Sequence, residues 1–499
     1  MTPNFSVSEG SAASTSASLG RQGGSLHQQS ASSDDSHGPS IPTSRGASPA
    51  ARVTPASVGV QHKHRIVIIG GGAGGLPLAC TLGDKLARKR TAEITLVDQF
   101  ATHVWKPLLH EVAAGRMDVD MHDIDYLTLA HWHHFRFRQG AVAGLDRGRR
   151  ELKLGAVSFD DGEEILPART LAYDTLLICV GSVSNDFGVP GVAQYAIALD
   201  TAVDAERFHR LLLAVCVRAD ARGGAGQSAA VNIVIIGAGA TGVELAAEIR
   251  QTTRAHAGYG LDHLDTANDI CLTLLEATPR ILPQLSDKIA EAATELLERL
   301  RIDVRCGEPV AEVVKEGVRT ASGKFFPADL VVWAAGIKAP AWLADLDGLE
   351  VNRNNQLVVQ TTLQTTRDPD IFAFGDCAAC PRTEPGHEGL LVPPRAQAAH
   401  QQASLLIKSM QARLAGKALP RFRFRDHGSL VSLGELSAVG NLMGRLIGGN
   451  MVIQGIIARV MYASLYKLHQ VSIYGYARVA LDTLGRFLRR RLEPRVKLH

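Results

Sequence analysis

Long apolar runs are absent from this chain of 499 residues. No stretch reaches the roughly 18 consecutive apolar residues that a membrane-spanning helix needs, so the sequence predicts no spanning segment. The N-terminus also lacks the basic-then-apolar pattern of a secretory signal peptide. Positive charge is not in excess either. The formal net charge is only +3, which gives no argument for nucleic acid as a partner.

Cysteine is scarce as well, with seven residues that lie mostly inside apolar stretches. This odd number and placement predict reduced thiols in the core of a cytoplasmic protein rather than a disulfide framework. Cys377 and Cys380 form a C-x-x-C motif, which leaves two interpretations. They are a redox-active pair or, as is commoner, thiols packed near the start of a helix.

The chain is long enough for two or three domains, and its first part differs in composition from the rest. Residues 1–62 are rich in Ser, Ala, Gly and Gln and poor in large apolar side chains. Such a segment buries too little surface to offset the entropy of ordering. We therefore expect a disordered tail, with a targeting role as the alternative.

Two short β-branched runs, at residues 65–69 and 231–236, are each followed by glycines and a helix-like stretch. Runs of this kind are typical of buried parallel strands. Two strand–glycine–helix units predict an α/β protein with two Rossmann-like dinucleotide-binding domains. Between about residues 380 and 430 the pattern changes. The remainder indicates a few antiparallel strands followed by helices, with the apolar residues Phe422, Phe424, Leu430, Val431 and Leu433.

The first glycine motif follows G-x-G-x-x-G directly after a strand, with Gly70, Gly72 and Gly75 at its fixed positions and Gly74 beside them. The first glycine permits a tight turn, the second lets a pyrophosphate approach the backbone, and the third allows close helix–strand packing. The phosphates would then lie at the helix N-terminus, which favours negative charge. Asp98 ends the next strand and is well placed for ribose hydroxyls.

Two later segments, 173–182 and 371–376, are apolar strands that end in Gly181 and in Gly375–Asp376. With the first glycine motif they resemble the flavoprotein family that has two dinucleotide-binding domains, and the resemblance covers residues 65 to about 435. It implies FAD rather than NAD at the first motif. It also implies that 173–182 returns the chain from the NADH domain, and that Gly375 and Asp376 bind the ribityl and phosphate groups of the flavin.

The second glycine motif also follows a strand and has its glycines at Gly237, Gly239 and Gly242. A later glycine turn at Gly336 closes this nucleotide-binding unit. The strand after the motif ends in Glu276. A carboxylate there accepts hydrogen bonds from the adenosine 2′-OH and repels a 2′-phosphate, so NADH is favoured over NADPH. Arg280 is close enough in sequence to weaken that preference. An inserted loop is expected near residues 253–269.

Three segments bear on the electron acceptor, at residues 105–115, 276–283 and 393–402. Together they closely resemble type II NADH:quinone oxidoreductases, the single-subunit, non-pumping respiratory NADH dehydrogenases. The resemblance implies transfer of hydride from NADH to FAD and of two electrons to a membrane quinone. Related disulfide reductases carry C-x-x-x-x-C after the first motif, but only Cys80 occurs here, so that chemistry is excluded. The alternatives are a sulfide:quinone oxidoreductase, which shares the scaffold, and a redox sensor that binds FAD and NADH.

The same resemblance implies the site residues. Ala396 and Gln397 are expected against the flavin ring and in the quinone site, and Lys106 is expected to contact the flavin. Gln397 and His400 share a helical face, so both could meet a quinone carbonyl. Glu244 is expected near the nicotinamide and the quinone, where it would relay protons. Each has an alternative interpretation. Lys106 could be an ordinary surface lysine, His400 a buried hydrogen-bonded histidine, and Glu244 a residue favoured only by the helix dipole.

The C-terminal segment, 441–499, has the pattern of a basic amphipathic helix on an anionic membrane surface. Apolar residues recur at helical spacing, as in Leu481, Leu484 and Leu488, and arginines cluster between 486 and 495. Tyrosines, which favour the headgroup level, accompany them at Tyr462, Tyr466, Tyr474 and Tyr476. The alternative is a helix packed on its own domain or on a dimer partner. An RNA-binding tail is less favoured, because no aromatic stacking platform accompanies the arginines.

The predicted molecule is an FAD domain, at 63–200 and 346–440, that is interrupted by an NADH domain at 201–345. A membrane-facing helical segment follows from 441. We expect peripheral attachment to the cytoplasmic face of the inner membrane, with a homodimer as a possibility. Neither a metal site nor a nucleic-acid partner is predicted.

Overall fold

The computed structural model describes residues 63–119, 123–159, 161–256, 261–432, 438–443, 450–454 and 456–489. The predicted tail at 1–62 lies outside these residues. The principal strands are β1 (His64–Ile69), β2 (Ala92–Asp98), β3 (Arg136–Gln139), β4 (Thr175–Ile178), β5 (Val231–Ile236), β6 (Ile270–Glu276), β7 (Ile302–Cys306), β8 (Leu330–Trp333), β9 (Ile371–Ala373), β10 (Gly428–Ser432), β11 (Ala438–Met443) and β12 (Asn450–Gln454). The principal helices are α1 (Gly75–Leu82), α2 (Leu109–Ala113), α3 (Tyr126–Trp132), α4 (Ala202–Gly224), α5 (Ala240–His256), α6 (Asp287–Arg299), α7 (Ala396–Leu414), α8 (Ile456–Tyr474) and α9 (Tyr476–Arg489).

The first sheet has the strand order β9-β4-β1-β2-β3, and every pair in it is parallel. β4 and β9 are buried along their whole length. Their continuous apolar sequences follow from this position, because a parallel sheet is covered on both faces. α1 packs against α7 beside this sheet. A small antiparallel sheet of Val142–Asp146, Glu151–Leu154 and Arg169–Ala172 accompanies it.

The second sheet repeats this order, with the short strand Ile197–Ala198 followed by β8, β5, β6 and β7, all parallel. The prediction of two Rossmann-like units is therefore confirmed. An antiparallel sheet of Val310–Val314, Gly317–Thr320 and Phe325–Pro327 accompanies this unit as well. α5 continues to His256, so a helix takes up the start of the expected loop, of which residues 257–260 lie outside the description.

The chain crosses between the two sheets along an antiparallel pair of short strands, Val183–Ser184 and Ile337–Lys338. β4 precedes the second sheet, so residues 173–182 lead the chain away from the first sheet. The expectation that they return it was wrong, and 337–338 have that role before β9 completes the first sheet. Since Ile197–Ala198 already pairs in the second sheet, that sheet also begins before the predicted boundary at 200.

A third sheet follows, in which β10, β11 and β12 are antiparallel, as the sequence predicted. A boundary after residue 440 would cut β11. Phe422 and Phe424 are buried but lie in no strand, and Leu433 is outside the described residues. None of the described helices combines the length and the apolar character that crossing a bilayer requires.

The C-terminal helices are part of the packed protein. Ile473 of α8 is only 2% exposed and belongs to the core of the first sheet, while Tyr466 packs on the core of the second. Tyr474 is half-buried, and burial raises its pKa to about 12. Tyr476, by contrast, is exposed, and the expectation that the tyrosines lie at a headgroup level stays a prediction.

Candidate active site

The loop between β1 and α1 has the geometry that a pyrophosphate requires. Gly70 has a φ of +99°, and a Cβ there would lie 2.5 Å from the carbonyl oxygen of Cys179, so only glycine fits. A Cβ on Gly75 would lie 1.9 Å from the Gly70 oxygen, which is the expected close helix–strand packing. Gly72 lines the cleft, and its Cβ position has no atom within 4 Å. The backbone is therefore open to a phosphate at this point.

Asp98, at the end of β2, turns back onto this loop. Its Oδ2 accepts a hydrogen bond from the Gly71 amide at 2.7 Å, and its Oδ1 accepts one from the Phe100 amide at 2.9 Å. The Tyr126 hydroxyl donates to the Gly71 carbonyl at 3.0 Å. Burial raises the pKa of Asp98, and the amide hydrogen bonds oppose that shift. A carboxylate accepts about four hydrogen bonds, so Asp98 keeps capacity for a ribose hydroxyl.

Two glycine turns lie side by side at the carboxyl ends of β4 and β9, which are adjacent in the sheet. Gly181 and Gly375 have φ values of +73° and +74°. The Ser182 hydroxyl donates to Asp376 Oδ2 at 2.9 Å, and Gln402 Oε1 accepts from the Gly375 amide at 2.7 Å. Burial raises the pKa of Asp376. Ser182 therefore holds Asp376, and Gln402 holds Gly375, both of which the sequence had indicated as flavin-binding residues.

Lys106 lies at the same place, with its side chain partly exposed. Its Nζ donates to the Ser182 carbonyl at 2.8 Å and approaches Asp200 Oδ1 at 3.3 Å. Asp200 also accepts from the Ser184 amide, at 3.0 Å. Lys106 therefore ties the segment after β4 to the segment that precedes α4, and it lines the cleft. Contact with a flavin stays a prediction.

The second glycine loop, between β5 and α5, repeats the first. Gly237 has a φ of +100°, and a Cβ on Gly242 would lie 1.9 Å from the Gly237 oxygen. Gly239 is open to the cleft in the same way as Gly72 in the first loop. Gly336, with a φ of +63°, lies under the ring of Phe187, which is 2.3 Å from where its Cβ would be. This loop also fits a dinucleotide.

Glu276 holds the position in the second unit that the aspartate holds in the first. Its Oε2 accepts from the Ala238 amide at 2.7 Å, and its Oε1 accepts from the Thr278 amide at 2.8 Å. The Arg280 guanidinium donates to the backbone carbonyls of Leu282, Pro283 and Leu285. Because its donors are engaged there, Arg280 weakens the preference for NADH less than the sequence suggested.

The start of α7 lies on the first glycine loop. A Cβ on Gly74 would lie 3.2 Å from the carbonyl oxygen of Ala399, and Ala396 and Gln397 line the cleft. Gln397 Oε1 is buried and has no hydrogen-bond partner among the described residues. Leaving such a group unpaired costs about 1–3 kcal/mol, which a ligand with a hydrogen-bond donor would recover. His400, one turn further on, also lines the cleft.

Two histidines that the sequence analysis missed accompany His400. His469 Nδ1 lies 3.3 Å from His400 Nε2, and His469 Nε2 lies 3.0 Å from His103 Nε2. The Trp105 ring stacks on His469, with ring centroids 4.0 Å apart. His103 precedes α2 and His469 lies on α8, so these contacts join segments that are remote in sequence. No local pattern could have indicated them.

Glu244 is buried on α5 and contacts more than its own helix. Its Oε1 accepts from the Ser432 amide at 2.9 Å, and its Oε2 lies 3.6 Å from His110 Nδ1. Burial lowers the pKa of His110 to about 4, so this imidazole is neutral near pH 7. Glu244 therefore joins β10 and α2 at the cleft wall, which the helix dipole alone would not require.

His110 also belongs to a cluster with Glu111 and Glu248, whose possible metal-ligand atoms lie within 4.8 Å of one another. Arg116 Nη1 donates to Glu248 Oε1 at 2.9 Å. A guanidinium so close opposes the binding of a cation. The prediction that the protein has no metal site stays a prediction.

The C-x-x-C cysteines are buried thiols rather than a poised redox pair. Cys377 Sγ donates to the Phe374 carbonyl at 3.3 Å, and Cys380 Sγ donates to the Pro381 carbonyl at 3.7 Å. Burial raises the pKa of each to about 12, so neither is a thiolate near pH 7. Neither cysteine forms a disulfide.

One continuous cleft of about 2090 Å³ joins both glycine loops, Asp98, Glu276 and the start of α7. Pockets for one small ligand are usually about 300–1,000 Å³, so this cleft has room for more than one. The two open glycine loops and the unpaired Gln397 amide lie along it. The residues therefore fit a flavin dinucleotide and a nicotinamide dinucleotide that approach each other, with polar groups left for a further substrate.

Comparisons with known proteins agree with this geometry. Residues 64–403 match the family model described as pyridine nucleotide-disulphide oxidoreductase. The chain is 41% identical over 448 residues to the type II NADH:quinone oxidoreductase of Haemophilus influenzae, and the match covers 87% of this chain and 99% of that protein.

Two solved structures share the fold. NDH2 from Plasmodium falciparum in complex with NADH gives a TM-score of 0.72 at 18% identity and covers 87% of this chain and 100% of that one. The sulfide:quinone oxidoreductase from Aquifex aeolicus gives 0.63 at 17% identity, covering 86% and 96%. At these identities the likeness shows the fold alone.

Proposed function

The chain belongs to the pyridine nucleotide-disulphide oxidoreductase family and, within it, to the type II NADH:quinone oxidoreductases, and we propose that it catalyses the reduction of a quinone by NADH. Bound FAD supplies the redox chemistry, because it accepts a hydride from NADH and passes two electrons to the quinone. The observation that carries this proposal is the single cleft, which joins two open glycine loops to the start of α7.

The FAD end of the cleft is assigned to the first glycine loop and its neighbours. Gly70, Gly72, Gly74 and Gly75 admit the pyrophosphate, and Asp98 accepts from ribose hydroxyls. Gly181, Gly375 and Asp376 would border the ribityl chain, and Lys106, which donates to the Ser182 carbonyl beside them, would contact the flavin. Ser182 orients Asp376 through its 2.9 Å hydrogen bond.

The NADH end is assigned to Gly237, Gly239, Gly242, Gly336 and Glu276. Both oxygens of Glu276 are fixed by loop amides, so the carboxylate is held where the adenosine ribose of a dinucleotide lies in such units. A fixed negative charge there accepts from a free 2′-OH and repels a 2′-phosphate. NADH is therefore the preferred nucleotide.

The quinone end is assigned to the start of α7. Ala396 lies against the flavin ring, and Gln397 and His400 meet quinone oxygens with their polar groups. Glu244, held by Ser432 and next to His110, moves protons between the cleft and the quinone. These side chains bind and orient the substrate and handle its protons, and they carry no electrons themselves.

A sulfide:quinone oxidoreductase would need reactive cysteines at the flavin. The thiol of Cys179 donates to the Gly70 carbonyl at 3.1 Å, and burial raises its pKa. Cys377 and Cys380, which follow β9, are buried still more deeply. Thiols that stay protonated do not support sulfide oxidation.

Membrane attachment is assigned to the exposed apolar side of α8 and α9. Its exposed side chains are Leu465, Leu468, Tyr476, Leu481 and Leu484. Apolar residues with nearby arginines are what an interfacial helix presents to anionic lipid. The proposal includes attachment at the cytoplasmic face of the inner membrane, because the quinone is a membrane solute. A homodimer stays a prediction.

An anaerobic titration of the holoenzyme tests the function against its rivals. We expect NADH to bleach the flavin absorbance and an equimolar amount of duroquinone to restore it. Sulfide in place of NADH should bleach nothing. Bleaching by sulfide alone would favour the sulfide:quinone oxidoreductase, and bleaching by NADH without reoxidation by duroquinone would favour the redox sensor.

A further inference from the structure

Three histidines form a hydrogen-bonded row that ends in the cleft. His103 and His469 share one bridge, Nε2 to Nε2 at 3.0 Å, and His469 and His400 share a second, Nδ1 to Nε2 at 3.3 Å. His103 and His469 are only 4% and 1% exposed. The Trp105 ring, stacked on His469 at 4.0 Å, holds the plane of the middle imidazole. The row is therefore fixed in position by packing.

All three rings are neutral near pH 7. Burial lowers the pKa of His103 to about 4 and also lowers the pKa of His469 and of His400. For His103 and His469 the charged neighbours that lower the pKa further belong to the row, and for His400 burial alone lowers it. The charged groups that line the same cleft, such as Glu244, Lys106 and Arg395, have their own partners.

Neutrality restricts where the protons lie. A neutral imidazole has one N–H and one lone pair, so three rings carry three N–H groups. Each of the two bridges uses one of them. The third N–H group must lie at an outer nitrogen, either on His400 or on His103. Its position decides which ring donates and which accepts in both hydrogen bonds. The row therefore has two states.

Each end of the row meets a different environment. His400 Nδ1 has no hydrogen-bond partner among the described residues, and His400 lines the cleft beside Gln397. At the other end, burial lowers the pKa of His103 while the nearby backbone of Gly71 raises it, which favours a proton on that ring. The Gly71 amide already donates to Asp98, so the carbonyl is the group that meets His103.

We propose that His103, His469 and His400 form a two-state proton relay, which presents an N–H to a quinone oxygen and a lone pair to a hydroquinone hydroxyl. The inference rests on the proposed function, because it needs the quinone beside His400. His400 is then the residue that touches substrate, while His103 and His469 are positioning residues that set its tautomer.

The switch between the states conserves charge. One proton leaves at His400 Nδ1 and passes to the oxygen of the reduced quinone, and one enters at His103 from water in the cleft. The bridging protons each cross to the neighbouring ring, from His103 to His469 and from His469 to His400. All three rings stay neutral, and the relay supplies one of the two protons that hydroquinone formation consumes.

¹⁵N NMR of the histidine-labelled, oxidised holoenzyme tests the relay without turnover, since it distinguishes ring nitrogens with and without a proton. The signals are assigned by loss in single His→Phe variants. With duroquinone bound, we expect the proton on His400 Nδ1. With durohydroquinone bound anaerobically, we expect all three histidines to exchange the nitrogen that carries the proton. Rings that keep their tautomers, or that change singly, would overturn the relay.

A second measurement uses His103→Phe, which alters a ring that does not touch the ligand. His469 Nε2 then faces an apolar ring, where an unpaired N–H costs more than a lone pair. His469 and His400 are thereby held in the state in which His400 Nδ1 carries its proton. We expect the affinity for durohydroquinone to fall about threefold to tenfold relative to duroquinone, the worth of one hydrogen bond. Equilibrium titration of the flavin absorbance reports both affinities.

His387→Phe is the matched control, because His387 is half-buried in a loop that does not line the cleft. Its affinity ratio should equal that of the unaltered enzyme. An unchanged ratio in His103→Phe, or an equal loss for both ligands, would contradict the relay. Failure of duroquinone to bind the unaltered enzyme at all would overturn the proposed quinone site, and the relay with it.

Discussion

In the proposed function, Glu276 sets the choice between the two nicotinamide dinucleotides through one fixed charge. We expect Glu276→Gln to raise kcat/KM for NADPH relative to NADH by at least about tenfold, since removing the charge relieves repulsion of a phosphate dianion by more than about 1.4 kcal/mol. The amide oxygen of Gln still accepts from a loop amide, so the loop is retained. Initial rates of flavin reduction with each nucleotide give the ratio.

The matched control for this prediction is Glu291→Gln, an exposed glutamate on α6 outside the cleft. It removes the same charge and should leave the nucleotide preference unchanged. If Glu276→Gln also leaves the preference unchanged, the carboxylate does not face the adenosine ribose, and the assignment of the NADH end to this residue is wrong.

At the residue scale, local motifs were predictable and long-range partners were not. Gly70 and Gly237 follow from sequence because a positive φ and a close approach admit only glycine. Asp98 and Glu276 follow because each ends the strand beside its loop. His103 and His469 did not, because their contact depends on how α8 folds back onto the segment after β2. That geometry is a tertiary property with no spacing in the sequence.

α9 is the element on which the proposed membrane attachment depends most. Leu481 and Leu484 are 71% and 57% exposed, while Val479 of the same helix is buried. We expect Leu481→Glu with Leu484→Glu to weaken binding to anionic phospholipid vesicles at least tenfold, because two carboxylates would enter the apolar side of an interfacial helix, where apolar burial drives binding. Co-sedimentation with vesicles measures the bound fraction.

The control for this helix is the double substitution Leu390→Glu with Leu391→Glu, which alters two exposed leucines in the loop before α7. It should bind vesicles as the unaltered protein does. Equal binding by the α9 variant would show that attachment lies elsewhere. Truncation from about residue 445 is a poorer test, since it also removes Ile473 from the core and His469 from the cleft.

At the element scale, the parallel strands were predicted well and the C-terminal part less well. A buried parallel strand is marked by its own apolar residues, as in β1 and β5. The helices after β12 were predicted to be a membrane segment, with packing on the protein or on a dimer partner as the alternative, because an amphipathic pattern does not say what its apolar side meets. α8 packs part of its apolar side on the protein core. The sequence pattern does not distinguish residues that pack on the core from residues that would contact a membrane.

The whole molecule should lose stability as the pH falls from about 6.5 towards 4. Burial lowers the pKa of His103 and of His110 to about 4, whereas an unfolded histidine titrates near 6.5. Between these values the unfolded chain binds protons that the folded protein does not, so the free energy of unfolding falls. Each histidine contributes on the order of 3 kcal/mol above pH 6.5, and this is lost through the window.

Thermal unfolding of the holoenzyme across this pH range measures the effect. His110→Gln should reduce the slope by about 1.4 kcal/mol per pH unit, because it removes one group that takes up a proton on unfolding. His387→Gln, in the loop before α7, should leave the slope unchanged. A slope that His110→Gln does not alter would mean that His110 is protonated in the folded protein.

At the scale of the molecule, the sequence predicted the two nucleotide units, since each carries a complete strand–glycine–helix pattern. It did not predict that one cleft joins both loops to α7 and α8. That cleft depends on the crossing at Val183–Ser184 and Ile337–Lys338, which holds the two sheets in one arrangement. We propose that the two ends of this cleft serve the two halves of one reaction.

Stopped-flow measurement of both half-reactions in Gln397→Leu tests that claim most directly. The substitution removes the unpaired amide at the quinone end and keeps a side chain of similar size. We predict reoxidation of the reduced enzyme by duroquinone to slow about tenfold, as expected for a lost hydrogen bond of about 1.4 kcal/mol to the substrate, while NADH reduces the flavin at an unaltered rate. Slowing of the NADH half-reaction with normal reoxidation by duroquinone would contradict the account.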